Sequence, residues 1–251
     1  MIRRYLRRCG MVPGVLLALL ANADAALSVV GTRFVYPAGS EGLTIRLGNG
    51  GMRPILVQSW LDRGDDSADP SSIQVPFVLS SPLLRIEPHE TQALQLRQSG
   101  EALPDDRESL FWLNLLEVPS KNKGDTNLLL LSYRLRMKLL FRPRGLQGDP
   151  QEAVGQVLWR LRPATTAGAR TLLEADNRSP YHVSLARLEL GEGDGALSLG
   201  SVTLAPFSRT PLSLPGPAPA GATRVHYDVV GDSGQFKSGV ASALPQASLH
   251  P

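Results

Sequence analysis

The sequence predicts an all-β protein made of two immunoglobulin-like β-sandwich domains, and three observations carry that prediction. Apolar residues recur in short alternating or continuous runs, bounded by glycine, proline, asparagine and aspartate, and no stretch sustains the spacing of a long amphipathic helix. About 225 residues follow an N-terminal export signal, which suits two domains of roughly 110 residues each. Finally, Trp60 in Val57-Gln58-Ser59-Trp60-Leu61 has the strand position where immunoglobulin-like cores hold a tryptophan, so a buried Trp60 is expected.

The export signal comes first along the chain. Arg3, Arg4, Arg7 and Arg8 precede an apolar run over 11–21, and Ala23-Asp24-Ala25 supplies the small-x-small pattern of a signal-peptidase site. Residues 1–25 therefore read as a cleaved signal peptide. The run falls short of the roughly twenty residues that span a bilayer, and no later segment comes closer, so no direct membrane insertion is expected. The arginine pairs also fit twin-arginine export, and Leu6-Arg7-Arg8-Cys9 faintly resembles a lipoprotein box, but Cys9 lies before the apolar run instead of after it. Cleavage removes four basic residues and one acidic residue, leaving 22 of each. A near-neutral chain without an arginine-rich stripe gives little support for nucleic acid or anionic membrane as the main partner. Cys9 is the only cysteine and departs with the signal, so the exported chain has no disulfide or thiol chemistry and depends on its own cores.

Strands are predicted over 27–36, 43–47, 55–61, 92–96, 110–118 and 128–141, punctuated by Gly48-Asn49-Gly50-Gly51, Arg63-Gly64-Asp65-Asp66 and Pro82. Asn49-Gly50-Gly51 reads most simply as a hairpin turn. After Phe141-Arg142-Pro143-Arg144-Gly145 the texture changes to Leu146-Gln147-Gly148-Asp149-Pro150, a bend dividing a first domain over 26–145 from a second over 146–243. Strands over 157–161, 172–175, 181–190, 196–204, 209–214, 224–230 and 239–243 would build the second sandwich, with 244–251 as a flexible tail.

Two segments ask for more than a structural reading. In Leu103-Pro104-Asp105-Asp106-Arg107-Glu108-Ser109-Leu110-Phe111-Trp112-Leu113 a charged turn runs straight into a hydrophobic strand. By themselves Arg107 and Glu108 read as exposed charges. The strand over 127–141 is unusually long and apolar: Leu128 to Leu131 are leucines on both faces, after which Leu131, Tyr133, Leu135, Met137 and Leu139 share one face and Ser132, Arg134, Arg136 and Lys138 the other. It is either a central strand covered by its own domain or a surface that something else covers.

Enzymatic chemistry finds no foothold. His89, His182, His226 and His250 lack paired metal-ligand spacing, and there is no Gly-x-Ser-x-Gly elbow or phosphate-cradling glycine loop, so no metal and no cofactor is expected. Asn177-Arg178-Ser179 fits a glycosylation pattern only formally.

Five motifs, in order, carry a resemblance to PapD-like periplasmic pilus chaperones of the chaperone–usher pathway. They are Gly31-Thr32-Arg33-Phe34-Val35-Tyr36, Val57-Gln58-Ser59-Trp60-Leu61, Pro76-Phe77-Val78 with Leu84-Arg85-Ile86-Glu87-Pro88, the segment over 103–119, and Met137-Lys138-Leu139-Leu140-Phe141-Arg142-Pro143. The resemblance spans nearly all of the exported chain and implies a periplasmic, non-enzymatic chaperone that binds, folds and caps pilus subunits by donor-strand complementation, without ATP, and delivers them to an outer-membrane usher. It implies that Leu129, Leu131 and Tyr133 enter a groove in the subunit, with Leu135 and Met137 continuing the row. Arg33 and Lys138 match the pair that binds the subunit's C-terminal carboxylate. Glu108, Arg142 and Asp232 match an interdomain charge network holding the two domains in a boomerang arrangement, with Glu108 structural and not catalytic; Gly231 departs from the asparagine more usual before that aspartate. The absence of cysteine departs from members with a disulfide in the second domain. The short connection over 119–127 places the chain in the short-loop subgroup. A self-capping homodimer of the free chaperone is a further partner to consider. The competing reading is an exported immunoglobulin-like subunit of a surface fibre.

Overall fold

The computed structural model describes residues 26–120, 131–162, 171–219, 221 and 223–245. The expected signal peptide, Leu129 and most of the 119–127 connection lie outside these residues. Among them the regular structure is β-strand with two short 3₁₀ turns.

The first predicted strand is two strands in different sheets. Gly31 adopts φ +109°, a left-handed conformation that L side chains rarely take, and there the chain passes from β1 (Leu27–Val29) to β2 (Arg33–Pro37). β1 belongs to a sheet ordered β1-β3-β7-β5, with β3 at Leu43–Asn49, β5 at Phe77–Leu79 and β7 at Thr91–Gln98. β2 is the edge of the facing sheet, ordered β2-β9-β8-β4-β6, with β4 at Ile55–Asp62, β6 at Leu83–Ile86, β8 at Ser109–Pro119 and β9 at Tyr133–Arg142. β5 and β6 were not foreseen as strands, being three and four residues long beside Pro76, Pro82 and Pro88.

Alternation decides what the first sandwich buries. In β4, Ile55, Val57, Ser59 and Leu61 point inward, so Trp60 points out, contrary to the expected core tryptophan. The core instead closes over Ile45, Leu47, Leu94, Leu113 and Leu139 with an aromatic cluster of Tyr36, Phe77, Phe111 and Phe141, in which Phe77 meets Tyr36 and Phe111 edge-to-face at 5.3 and 5.1 Å. Asn49 also departs from expectation. Its segment is no hairpin but a crossing between sheets, in which the buried amide donates to the carbonyls of Ile86 (3.0 Å) and Arg53 (2.8 Å) while Oδ1 accepts the Gly51 N–H (2.9 Å).

The second sandwich holds the fully buried tryptophan, Trp159 at 1% exposure, packed with Leu173, Leu188, Leu190, Leu204 and Val225. Its strands are β10 (Val157–Arg162), β11 (Leu172–Asn177), β12 (Val183–Leu190), β13 (Leu197–Ser198), β14 (Val202–Leu204), β15 (Ser208–Ser213), β16 (Arg224–Val230) and β17 (Phe236–Pro245). The predicted strand over 196–204 breaks at Gly200, φ +73°. β17 runs antiparallel to β16 and ends parallel to β10, pairing Leu244 with Arg160 and Pro245 with Leu161, so the first two residues of the expected tail belong to the fold. Asn177 is fully buried and donates to the carbonyls of Tyr181 and Ala205 at 2.8 and 2.9 Å, which makes it a structural residue and no glycan acceptor in the folded chain.

Candidate site in the interdomain cleft

β2 and β9 run parallel, from Arg33↔Lys138 to Pro37↔Arg142. Tyr36, Leu139 and Phe141 fill the first core, so alternation turns Arg33, Lys138, Leu140 and Arg142 to the opposite face, where the second domain lies. Lys138 Nζ donates to Ser184 Oγ at 2.8 Å and to Thr203 Oγ1, both in the second domain. Arg33 Nη1 donates to the carbonyl of Val230 at 2.9 Å, while its buried Nε has no partner. No carboxylate lies within ion-pairing distance of either cation among the described residues. Burial first, and the charge of Arg33 second, lower the Lys138 ammonium to about 8. Burial also lowers Arg33, partly offset by Asp232 and Glu108. Two desolvated neighbouring cations with donors to spare form a site for an anion, and a carboxylate matches them in charge and geometry.

Arg142 joins the domains. Its Nε donates to Glu108 Oε1 at 2.7 Å, and Nη1 and Nη2 reach the two oxygens of Asp232 at 2.6 and 2.9 Å. Burial would lower Arg142, but the hydrogen bonds and charges of Asp232 and Glu108 outweigh it and raise it above the ordinary arginine value. Glu108 is 3% exposed, so it is not a surface charge. Its second oxygen accepts the His182 N–H at 2.9 Å, and its own N–H donates to the Pro180 carbonyl at 2.9 Å. The preceding Arg107 pairs with Asp106 and lies over the Phe207 ring of the second domain, 5.1 Å from its centroid. Between these groups lies a cavity of about 230 Å³, lined by Arg33, Arg142, His182, Val230 and Asp232 among others.

Of the remaining predicted residues, Tyr133, Leu135 and Met137 lie on the other half of β9, Leu131 comes just before it, and Leu129 is outside the described residues. β2 pairs only Lys138 to Arg142, so from Tyr133 to Met137 the strand is bonded to β8 and its other edge is open among the described residues. Tyr133, Leu135 and Met137 face the side of the first core, opposite Glu117, Leu115 and Leu113. Leu135 packs at the rim of that core and Met137 is half-buried, whereas Leu131 and Tyr133 are 49% and 41% exposed. An open strand edge beside an exposed apolar row can accept another strand. Ser184, Thr203 and His182 were missed by sequence reasoning, because their relation to β9 is purely tertiary.

Among the described residues no three His, Asp, Glu or Cys side chains converge as a metal site, and no helix is long and apolar enough to cross a membrane.

Two family models match: the pili and flagellar-assembly chaperone, PapD N-terminal domain, over 26–147, and the pili assembly chaperone PapD, C-terminal domain, over 152–241. The chaperone protein FimB/FhaD of Bordetella pertussis is 39% identical over 240 residues, covering 92% of this chain and 95% of that protein. The probable fimbrial chaperone YadV of Escherichia coli is 36% identical over 224 residues, covering 87% and 90%. The crystal structure of YadV chaperone superposes with a TM-score of 0.72 at 34% identity, covering 87% of this chain and all of that one. The Salmonella enterica SafA pilin in complex with the SafB chaperone gives a TM-score of 0.72 at 28% identity, over 88% of this chain and 98% of that one.

Proposed function

The chain belongs to the PapD family of pilus-assembly chaperones, and from that premise we propose that it captures pilus subunits in the periplasm by lending them a strand. The carrying observation is the juxtaposition of an open strand edge with a pair of half-buried cations at its base, neither of them ion-paired to a carboxylate among the described residues. In this reading a subunit strand adds to the free edge of β9, and its groove takes Tyr133, Leu135 and Met137 together with Leu131 and Leu129. Main-chain hydrogen bonds hold the added strand, and burying each large apolar side chain contributes roughly 1.5–3 kcal/mol before ordering costs. Arg33 and Lys138 receive the subunit's C-terminal carboxylate. Because they sit on adjacent strands at one register position, anchoring the chain end there fixes which subunit residue meets which residue of β9.

Release follows as strand exchange at an outer-membrane usher, when the next subunit's strand fits the groove better than β9 does. Glu108, Arg142 and Asp232 hold the cleft at its angle and take no part in chemistry, and neither metal nor ATP enters the cycle. Without a subunit, two copies pairing their open β9 edges would cap one another. The rival reading, a fibre subunit, gives way to the family matches over both domains.

Anchoring is tested by substitution. Arg33→Ala or Lys138→Ala should leave the free protein folded, with far-ultraviolet circular dichroism nearly unchanged, while abolishing co-purification with pilus subunits. Full recovery of subunits with both variants refutes carboxylate anchoring.

A further inference from the structure

The outer face of β9 carries a network that capture itself does not use. Arg134, Arg136 and Lys138 project from one side of the strand at intervals of roughly 7 Å, a spacing at which like charges disfavour one another. Residues of β4 and β8 compensate two of them. Asp62, 1% exposed, accepts Arg136 Nη2 at 2.6 Å, Asn114 Nδ2 at 2.7 Å and the Gly64 N–H at 2.7 Å. Asn114, fully buried, turns its Oδ1 to Arg134, which donates from Nε at 3.0 Å and from Nη2 at 2.7 Å. Arg134 also donates to the Asp66 carbonyl at 2.8 Å. Its guanidinium lies 5.0 Å from the Trp60 ring centroid, and that of Arg136 lies 4.2 Å from Trp112. These contacts account for the outward tryptophans. Burial alone would raise the Asp62 carboxyl, but the hydrogen bonds from Arg136, Asn114 and Gly64 outweigh it and hold the group below its usual value, ionised at neutral pH.

The position of the network gives it a purpose. Both clamped arginines belong to the five residues, Tyr133 to Met137, that have a strand neighbour on one side only. A strand held by one neighbour at the end of a sheet frays, and a frayed strand must be ordered again when a partner arrives, at the expense of affinity. The clamps grip the outward side chains and leave Tyr133, Leu135 and Met137 untouched on the opposite face.

Building on the capture reading above, we infer that Asp62 and Asn114 are positioning residues. With Trp60 and Trp112 they hold the open half of β9 extended and in register before any subunit binds. They touch no part of the groove-filling row and act only through Arg134 and Arg136.

Amide hydrogen exchange on the free mature protein tests this. In the double variant Arg134→Gln/Arg136→Gln, the amides of Tyr133 to Met137 that bond to β8 should exchange about fivefold faster or more, while Ile45 and Leu94 in the facing sheet keep their rates. Asp62→Asn should act in the same direction. Asp62→Asn alters a buried group and the double variant deprives that carboxylate of its ion pair, so the rates at Ile45 and Leu94 separate local fraying from weakening of the whole domain. Unchanged exchange in 133–137, or an equal rise at Ile45 and Leu94, overturns the inference. No subunit is present in the measurement, so its failure leaves the capture reading standing, and a failure of capture leaves the exchange result intact.

Discussion

Lys138 carries its charge into a place that disfavours it, between Arg33 and the second domain, with two hydroxyls as its hydrogen-bond partners. With its pKa depressed from 10.5 to about 8, the folded protein releases this proton before the unfolded chain does. Folding is therefore penalised by the charged lysine at neutral pH, and the penalty lifts as pH rises from about 8 towards 10.5. The stability of the wild type relative to Lys138→Met, read from urea midpoints, should accordingly rise between pH 7 and pH 10. Capture should move the opposite way, weakening above pH 8 as the ammonium is lost, and Lys138→Arg should flatten that dependence. A stability difference independent of pH would refute the depressed lysine. In the sequence the two cations are separated by more than a hundred residues, and nothing at Arg33 or Lys138 distinguishes them from solvated strand charges. Only their motif context singled them out, because desolvation is a property of the neighbours that folding brings, here Ser184, Thr203 and Val230.

At the scale of the element, β9 is two strands in one. Its C-terminal half is closed by β2 and buries Leu139, Leu140 and Phe141, while its N-terminal half begins at the exposed Tyr133, with the exposed Leu131 just before it. Replacing Leu131 and Tyr133 together with serine should shift the melting temperature of the free protein by no more than about 2 °C, since exposed positions seldom contribute more than about 0.5 kcal/mol. Subunit binding should fall at least tenfold, measured by co-purification yield or surface-plasmon titration; undiminished binding removes these residues from the groove. Alternation made the faces of β9 readable in advance, as it did for most strands. Trp60 is where the same reasoning erred. A tryptophan on a strand favours burial by size, yet the inward positions of β4 were already taken by Ile55, Val57, Ser59 and Leu61, and phase outweighs propensity. The split at Gly31 was equally hidden, because an apolar run looks the same whether it stays in one sheet or crosses to the other.

At the scale of the molecule, the cleft depends on how the two sandwiches are joined. Arg142 and Glu108 are substantially buried and Asp232 completes the bidentate pair from the second domain. Removing one member of such a network leaves a desolvated charge behind, which typically costs about 3–5 kcal/mol. Glu108→Ala should destabilise the protein in that range and broaden the distance distribution between spin labels placed one in each domain. A distribution as narrow as the wild type's would mean that the angle is set elsewhere, the backbone bond from Glu108 to Pro180 and the Arg107–Phe207 contact being the nearest candidates. The division into two all-β domains was legible from turn spacing and length. The cleft between them was not, since its residues come from segments that share no local pattern.

β2 stops pairing at Lys138, and the core of the first sandwich closes without the exposed side chains of Leu131 and Tyr133. Substitutions at exposed positions such as Leu131 and Tyr133 can thus alter which clients are recognised while leaving the chain's own folding intact. Heredity can explore the one without endangering the other, and a duplicated gene could acquire a new fimbrial client through a handful of substitutions along a single exposed edge.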